Sequence, residues 1–208
     1  MPIFVKTPIH SLSALVKRYK SDRKGVAAIE FVFVAPVMIA MYFGLAEIST
    51  AISADRQISH ATNIAGDLAT QVATIDALQM SEIMTATTLV IGVPSAKLSD
   101  IKIEIASFSR DAAGAVIPLG KATLNGTFPN TFNADGLDNL ILSDTSGVVV
   151  ARVSYDYEPL KLRYFDSNFT LTETFLLKPR KSANVEFDNG SGITDYTCTA
   201  SNGNASCS

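Results

Sequence analysis

The sequence is poor in the residues from which most catalytic and metal-binding sites are built. Its 208 residues include two histidines, His10 and His60, and two cysteines, Cys198 and Cys207. These four residues do not have the spacing of zinc ligands, and neither H-E-x-x-H nor C-x-x-C occurs. The sequence also lacks a P-loop, a G-x-G-x-x-G motif and a G-x-S-x-G motif. We therefore expect a protein that is not an enzyme and that uses no metal or cofactor.

Charged residues make up only 18% of the chain, and they are unevenly distributed. Residues 1–25 contain six Lys or Arg residues and one acidic residue, whereas the rest of the chain is net acidic. A nucleic-acid-binding protein carries its positive charge on the folded domain, so nucleic acid is not expected as a partner. A basic N-terminal segment before an acidic body is instead typical of a protein whose N-terminus lies at the anionic cytoplasmic face of a membrane.

A long apolar run follows the basic segment. Residues 26–46 are 21 residues with a single charge, at Glu30. As a helix this run is about 31 Å long, close to the thickness of the hydrocarbon core of a bilayer. The apolar part of a cleaved secretory signal is shorter and ends at a site of small residues, which this run does not have. We therefore predict an uncleaved transmembrane helix over 26–48, with residues 1–25 in the cytoplasm and the remainder outside.

Two residues within this run need an explanation. Pro36 removes one hydrogen bond from a helix, which membrane helices tolerate, so a simple bend is one interpretation. A carboxylate such as Glu30 is costly in hydrocarbon unless it is paired or lies near the headgroups. Glu30 is therefore either a functional residue or an interfacial residue whose side chain reaches towards the headgroups.

The residues around Glu30 carry a recognisable pattern. A basic leader ends at Gly25, four small or apolar residues follow, and Glu30 and Phe31 come next in the sequence R-K-G-V-A-A-I-E-F-V-F-V-A-P-V. This pattern resembles the class III signal of type IV pilins and pseudopilins. Residues 23–47 are similar to the TadE-like proteins of the tight-adherence (Tad/Flp) pilus system, and a later Y-x-Y-x-P at residues 155–159 agrees with that group.

The resemblance implies a site and a set of partners. A prepilin peptidase would cleave between Gly25 and Val26, so that Glu30 becomes the fifth residue of the mature chain. The new ammonium group at Val26 would pair with Glu30 of a neighbouring subunit, with Phe31 beside it in the assembly contact. The implied partners are the peptidase, other pilins or pseudopilins, components of the Tad assembly platform and the lipid of the bacterial inner membrane. The length of the chain suits a minor pilin or pseudopilin better than the short major pilins.

The chain beyond the apolar run predicts an α+β fold, in which a long transmembrane and stalk helix precedes a small antiparallel β-sheet head. Apolar residues at steps of three or four continue the helix from Ala51 to about Leu78, and Ser81 is a candidate cap for a second helix that ends at Gly92 and Pro94. The predicted organisation is a leader, a transmembrane helix, stalk helices, a periplasmic head and a tail, at residues 1–25, 26–48, 49–95, 96–188 and 189–208 respectively.

The head shows the period of two that is typical of strands. Ile101, Ile103 and Ile105 alternate with less apolar residues, which predicts a half-buried strand. A turn at residues 111–114 and a returning strand at 116–119 follow, and residues 120–140 resemble a loop. Two further strands are predicted at 148–157 and 169–177, joined by a linker that contains Pro159, Lys161 and Arg163.

The C-terminal tail, residues 189–208, is rich in Gly, Ser, Asn and Thr. A segment of this composition is disordered if nothing holds it. Cys198 and Cys207 lie within the tail, and outside the cytoplasm such a pair forms a disulfide more often than a metal or redox site. We therefore expect a disulfide between Cys198 and Cys207.

Three functions are compatible with these patterns. The preferred one is a structural minor pilin or pseudopilin that is processed by prepilin peptidase and assists the assembly or initiation of a Tad-type adhesion pilus. The alternative is a single-pass anchor for a periplasmic binding or sensor domain, which leaves the spacing from Gly25 to Glu30 unexplained. A periplasmic hydrolase is third, because no convergent set of polar residues is evident.

Overall fold

The structure is a computed structural model that describes residues 16–17, 24–92, 95–128, 130, 132–137, 141–142, 146–159, 168–201 and 203–208. The chain divides into two units, Met1–Ala46 and Glu47–Ser208. Helix α1 (Lys24–Thr70) contributes residues to both of them. The fold is α+β, as the sequence predicts, because a long N-terminal apolar helix precedes a mostly antiparallel sheet.

In the first unit, helix α1 exposes its large apolar side chains. No residue in its most apolar stretch is buried, and Phe31 and Phe33 are 69% and 74% exposed. Pro36 lies inside the helix, which continues through it. A core helix of a soluble protein is buried along at least one face, so an exposed helix of this length and composition is consistent with a membrane anchor.

In the second unit, helix α1 packs with small residues. Ala61, Ala65 and Ala69 are fully buried together with Ile58, in agreement with the predicted apolar stripe. A Cβ atom placed on Gly66 would overlap the side chain of Leu177 and press on Ala151, so the backbone of the helix lies very close to these side chains.

Helix α1 ends at Thr70, and the prediction that it continues to about Leu78 is wrong. The carbonyl oxygen of Thr70 accepts a hydrogen bond from the backbone N–H of Arg180 instead of from a following turn. The next residues form the short strand β1 (Thr74–Ile75), which pairs in parallel with strand β6 (Glu186–Phe187). Tertiary pairing with a distant segment therefore overrides the local helical period.

Helix α2 (Ala77–Ile91) begins four residues before the predicted cap. Asp76 is the N-cap: its side chain accepts from the backbone N–H of Gln79, and the Gln79 side chain accepts from the N–H of Asp76. The prediction that Ser81 caps this helix is therefore wrong. The helix ends as expected at Gly92, whose φ of 68° is favourable for glycine.

Six strands form one sheet: β2 (Ile101–Arg110), β3 (Val116–Leu124), β4 (Val148–Tyr157), β5 (Phe169–Leu177), β7 (Tyr196–Ser201) and β8 (Asn204–Cys207). Their order across the sheet is β5-β4-β2-β3-β7-β8. All neighbours in this sheet are antiparallel except β3 and β7, which are parallel. A 3-10 helix (Ser95–Asp100) leads into the first of these strands.

The strands predicted in the head are present. Strands β4 and β5 have the predicted bounds, and β2 returns as β3 after a turn in which the Asp111 carboxylate accepts from the N–H groups of Ala113 and Ala115. Strand β3 is longer than predicted, because its last residues pair with both β2 and β7. Of the predicted linker, Pro159 is described and buried, whereas Lys161 and Arg163 lie outside the described residues.

Strand β2 is buried on both faces, so the prediction of a half-buried strand is wrong. Ile101, Ile103 and Ile105 join the main core with helices α1 and α2. On the opposite face, Phe108 packs with a second apolar cluster that contains Leu142, Val148 and Val150. Segments between β3 and β4 cover this second face. The alternation of residues along β2 gives no sign of this covering, because the covering segments are distant in the sequence.

An ion pair lies on this second face. Glu104 of β2 and Arg152 of β4 are opposite each other in the sheet, and Arg152 Nη1 lies 3.0 Å from Glu104 Oε1. The same nitrogen donates to the carbonyl oxygen of Asn130 at 2.7 Å, and the guanidinium carbon lies 4.3 Å from the centre of the Phe128 ring. Both charged side chains are about nine-tenths buried. The attraction between them offsets the cost of removing each charge from water, so neither charge is stable there without the other.

The tail does not remain a free segment. Residues 196–198 of strand β7 pair with β3, and residues 204–207 pair with β7 as strand β8. The hydroxyl group of Tyr196 donates to the carbonyl oxygen of Ile75, and the Tyr196 ring stacks on Phe187. A polar segment is disordered when it is free. This tail is ordered because its backbone forms hydrogen bonds with the edge of the sheet.

We expect Arg152→Leu to lower the free energy of unfolding by about 3–5 kcal/mol, because it leaves the Glu104 carboxylate buried without its cation. The double variant Glu104→Leu/Arg152→Leu should lose much less, since no buried charge remains. Urea denaturation of the detergent-solubilised protein, followed by circular dichroism, measures both changes. Equal losses in the single and double variants would contradict the assigned role of this pair.

Candidate functional site

The first turns of helix α1 contain the site that the sequence predicts. Gly25, Val26, Glu30 and Phe31 all lie in helical conformation and are exposed. A Cβ atom placed on Gly25 would have no neighbour within 4 Å among the described residues outside its own helix turn. Val26 and Glu30 are four residues apart and therefore lie on the same side of the helix, about 6 Å apart along its axis.

Glycine at the start of this helix has a further physical consequence. Gly is about 1 kcal/mol less favourable than Ala within a helix, so the turn that contains Gly25 is easier to unwind than the turns after it. The helix beyond Glu30 contains no glycine until Gly44.

The Y-x-Y-x-P segment fastens the sheet to helix α1 within the second unit. The hydroxyl group of Tyr157 donates to Thr50 Oγ1 at 3.0 Å, and Thr50 Oγ1 donates to the carbonyl oxygen of Glu47 at 2.8 Å. The ring of Tyr157 also contacts Phe169 of β5, and Tyr155 lies beside it in the core. The segment that agrees with the resemblance is therefore part of the attachment between strand and helix.

Glu47 is a residue to which the sequence analysis assigned no role. It is only 1% exposed, and neither of its carboxylate oxygens has a hydrogen-bond partner among the described residues. Burial of a carboxylate without a partner is costly. One indication in the sequence that Glu47 is unusual is its position directly after the apolar run. An acidic residue that ends such a run is expected to reach solvent, whereas Glu47 is buried.

One surface ion pair lies beside the Y-x-Y-x-P segment. Lys97 Nζ lies 3.1 Å from Glu158 Oε2, and both side chains are a little over one-third exposed. The hydrogen bond to Glu158 raises the pKa of Lys97, so the contribution that Lys97 makes to stability through this pair is lost as the pH rises through the lysine range. Burial raises the pKa of the Tyr155 phenol, which therefore stays neutral.

The C-terminal hairpin forms the other predicted site. Cys198 of β7 and Cys207 of β8 are directly opposite each other and form a disulfide. The outer edge of β8 is closed by helix α2, because the N–H of Ala205 donates to Thr85 Oγ1 at 2.8 Å and the N–H of Cys207 donates to Ser81 Oγ at 3.0 Å. A sheet edge without such partners invites pairing with other chains.

The described residues contain no group of three or more His, Cys, Asp or Glu side chains that is placed to hold a metal ion. An open depression of about 490 Å³ lies on the sheet between Phe108, Pro118 and Phe132, with Asn133 and Asp135 at its edge. Its aromatic and polar lining is compatible with binding a small molecule, and the described residues that line it include no pairing of a nucleophile with a base.

The comparison with protein families locates a match on helix α1. Residues 25–67 match the family model described as TadE-like protein. The match begins at Gly25 and confirms the resemblance that the sequence shows around Glu30. No curated protein and no solved structure matches the chain at the level that we required. TadE-like proteins are a structural, pilus-associated family rather than an enzyme family.

We expect the two cysteines to be joined in the protein isolated from its native compartment, and alkylation without reduction should leave its mass unchanged. Reduction before alkylation should add two adducts. The variant Cys198→Ser/Cys207→Ser should lose about 2–3 kcal/mol of unfolding free energy, since the loop between the cysteines is then unconstrained in the unfolded chain.

The matched control is Ser81→Ala, which removes one hydrogen bond from β8 and should cost about 1 kcal/mol while the disulfide stays intact. Free thiols at both cysteines in the native protein would contradict the disulfide.

Proposed function

Because residues 25–67 of this chain are TadE-like, we propose that the protein is a minor pilin or pseudopilin that assists the assembly or initiation of a Tad-type adhesion pilus. A prepilin peptidase cleaves it between Gly25 and Val26, and the apolar part of helix α1 holds the mature chain in the bacterial inner membrane. The leader is cytoplasmic and the second unit is periplasmic. Other pilins or pseudopilins and components of the assembly platform are its partners.

The observation that carries this proposal is the exposed start of helix α1. Gly25, Val26 and Glu30 lie together within its first two turns, and the large apolar side chains that follow have no neighbours in the described chain that bury them. A plain membrane anchor needs the apolar residues but not a glycine followed by a carboxylate five residues later.

Glu30 and Phe31 have different roles in this proposal. Cleavage gives Val26 a free ammonium group, and a carboxylate about 4 Å from an ammonium is attracted by about 4 kcal/mol where the effective dielectric constant is 20. The Glu30 side chain is directed towards the N-terminus of its own helix, so its own Val26 competes with the Val26 of a neighbour. Pairing with a neighbour fixes the axial position of adjacent helices, and Phe31 packs between them.

The alternative function is a membrane-anchored periplasmic binding or sensor domain. The depression between Phe108 and Phe132 is the observation that favours it. The two functions differ at the N-terminus, because only the pilin requires cleavage after Gly25.

We expect the protein extracted from membranes to begin at Val26, which Edman degradation or N-terminal mass spectrometry identifies. Gly25→Lys should leave the leader attached, because a long side chain occupies the place where the peptidase approaches the backbone. The matched control Gly25→Ala adds one methyl group and should be cleaved to a much greater extent than Gly25→Lys. An intact N-terminus at Met1 or Pro2 in the unaltered protein would overturn the pilin proposal in favour of the anchor.

The second test separates membrane insertion from assembly. Glu30→Gln keeps the size of the side chain and removes its charge, so the protein should remain abundant, membrane-bound and cleaved. Co-purification with pilus components and surface piliation should fall at least tenfold, because the Val26 ammonium of a neighbour has lost its anion.

Asp55→Asn is the control, since Asp55 is an exposed carboxylate on the same helix beyond the apolar run, and piliation should be unchanged. Normal pili in cells whose only copy carries Glu30→Gln would show that Glu30 is an interfacial residue and not an assembly residue.

A further inference from the structure

The depression on the second face of the sheet has the size of a small-molecule site. Its volume is about 490 Å³, which lies within the range of about 300–1,000 Å³ that is usual for such sites. Two groups of residues line it, one from strands β2 and β3 and one from the segment between β3 and β4. They are Phe108, Val116 and Pro118 in the first group and Phe132, Asn133 and Asp135 in the second. We call this site the Phe108 depression.

An irregularity in the pairing of β2 with β3 shapes the floor of the Phe108 depression. The register shifts just before Phe108, where Leu119 and Gly120 of β3 together face a single residue of β2. Gly120 has a φ of 118°, a conformation that favours glycine. After the shift Phe108 lies opposite Pro118, and Val116 is two residues from Pro118, so these three side chains share one face. Bulges of this kind redirect side chains and are frequent beside functional sites.

Hydrogen bonds from an arginine hold the wall of the depression against its floor. Arg110 Nη2 donates to the carbonyl oxygen of Leu137 at 3.3 Å, and the N–H of Leu137 donates to the carbonyl oxygen of Ala134 at 3.1 Å. The centre of the Phe132 ring lies 6.0 Å from the centre of the Phe108 ring. The depression is therefore formed by packed side chains and backbone hydrogen bonds before any ligand binds.

Two polar side chains at the edge of the depression have unused hydrogen-bonding groups. Asn133 Oδ1 accepts from the backbone N–H of Asp135 at 3.0 Å, which leaves the amide N–H groups of Asn133 to donate. The Asp135 carboxylate is exposed, has no partner among the described residues and can only accept. A ligand that satisfies both side chains must accept from one and donate to the other. A molecule with several hydroxyl groups meets this requirement, because each hydroxyl does both.

The charges beside the depression favour a neutral ligand. The guanidinium group of Arg110 binds the carbonyl oxygen of Leu137, which is two residues after Asp135. A cation placed beside Asp135 would therefore also meet the positive charge of Arg110, and an anion placed beside Arg110 would meet Asp135. The faces of the Phe108 and Phe132 rings are electron-rich and favour contact with apolar C–H groups.

We infer that the Phe108 depression binds a neutral sugar residue of an oligosaccharide or polysaccharide. A pyranose ring has C–H groups across its faces and hydroxyl groups around its edge. One face of the ring lies against Phe108 and Phe132, and hydroxyl groups bind Asn133 and Asp135. An open site binds one sugar weakly, and several copies of the protein side by side bind a polymer more tightly through multivalency. All these residues belong to the second unit, so the inference does not depend on cleavage after Gly25.

Saturation-transfer NMR tests this inference on the full-length protein in nanodiscs of phosphatidylethanolamine and phosphatidylglycerol, prepared without sugar-based detergent. The probes are the methyl glycosides of glucose, galactose, mannose and N-acetylglucosamine. We expect at least one of them to receive saturation, most strongly at the C–H groups of one face of its ring. Asp135→Ala should weaken its binding about tenfold, because a charged acceptor is lost, while circular dichroism stays unchanged because Asp135 is exposed. The matched control is Glu82→Ala, which removes an exposed carboxylate of helix α2 outside the depression and should bind as the unaltered protein does.

A second variant tests the aromatic contact. Phe132→Leu keeps an apolar side chain and removes the ring, so it should also weaken binding about tenfold while circular dichroism shows the same fold. Absence of transfer to all the glycosides would overturn the inference, and so would unchanged binding in both Asp135→Ala and Phe132→Leu. Saturation of tetramethylammonium without that of any sugar would identify a cation site and overturn it as well. None of these results bears on processing at Val26.

Discussion

The close approach of helix α1 to the sheet is the contact on which the second unit depends. Ala61, Ala65 and Ala69 are buried, and Gly66 leaves no room for a side chain beside Leu177 and Ala151. Protein interiors are packed densely enough that one additional methyl group forces a shift of neighbouring atoms. Because this contact brings β4 and β5 near the helix, the hydroxyl group of Tyr157 can reach Thr50.

Helix α1 meets two physical requirements with two kinds of apolar residue. Between Val26 and Ala46 it carries large side chains that are exposed, which are favourable in lipid or against other helices. Between Ile58 and Ala69 it carries small side chains that allow backbones to approach closely. The proposed assembly function depends on the large exposed side chains, because Glu30 and Phe31 would contact neighbouring subunits. The folded head depends on the small buried side chains.

The C-terminal hairpin determines how the second unit presents helix α2. The disulfide joins β8 to β7, and two backbone N–H groups of β8 bind Ser81 and Thr85 of the helix. These contacts close the edge of the sheet and at the same time fix the side of α2 that bears Leu78 and Leu89. A single arrangement therefore covers the edge of the sheet and holds helix α2 against it.

The sequence by itself determined the exposed apolar helix and the strands β2 to β5, because apolar length and the period of two are local properties. It also carries the pattern around Glu30 that lies within the TadE-like match. It did not determine where α1 ends, that both faces of β2 are buried, or that the tail becomes β7 and β8. Thr70 meets Arg180, Glu104 meets Arg152, and β7 meets β3 only after distant segments have come together. Those features were decided by the tertiary structure, because each depends on a partner that is far away in the chain and that no local pattern records.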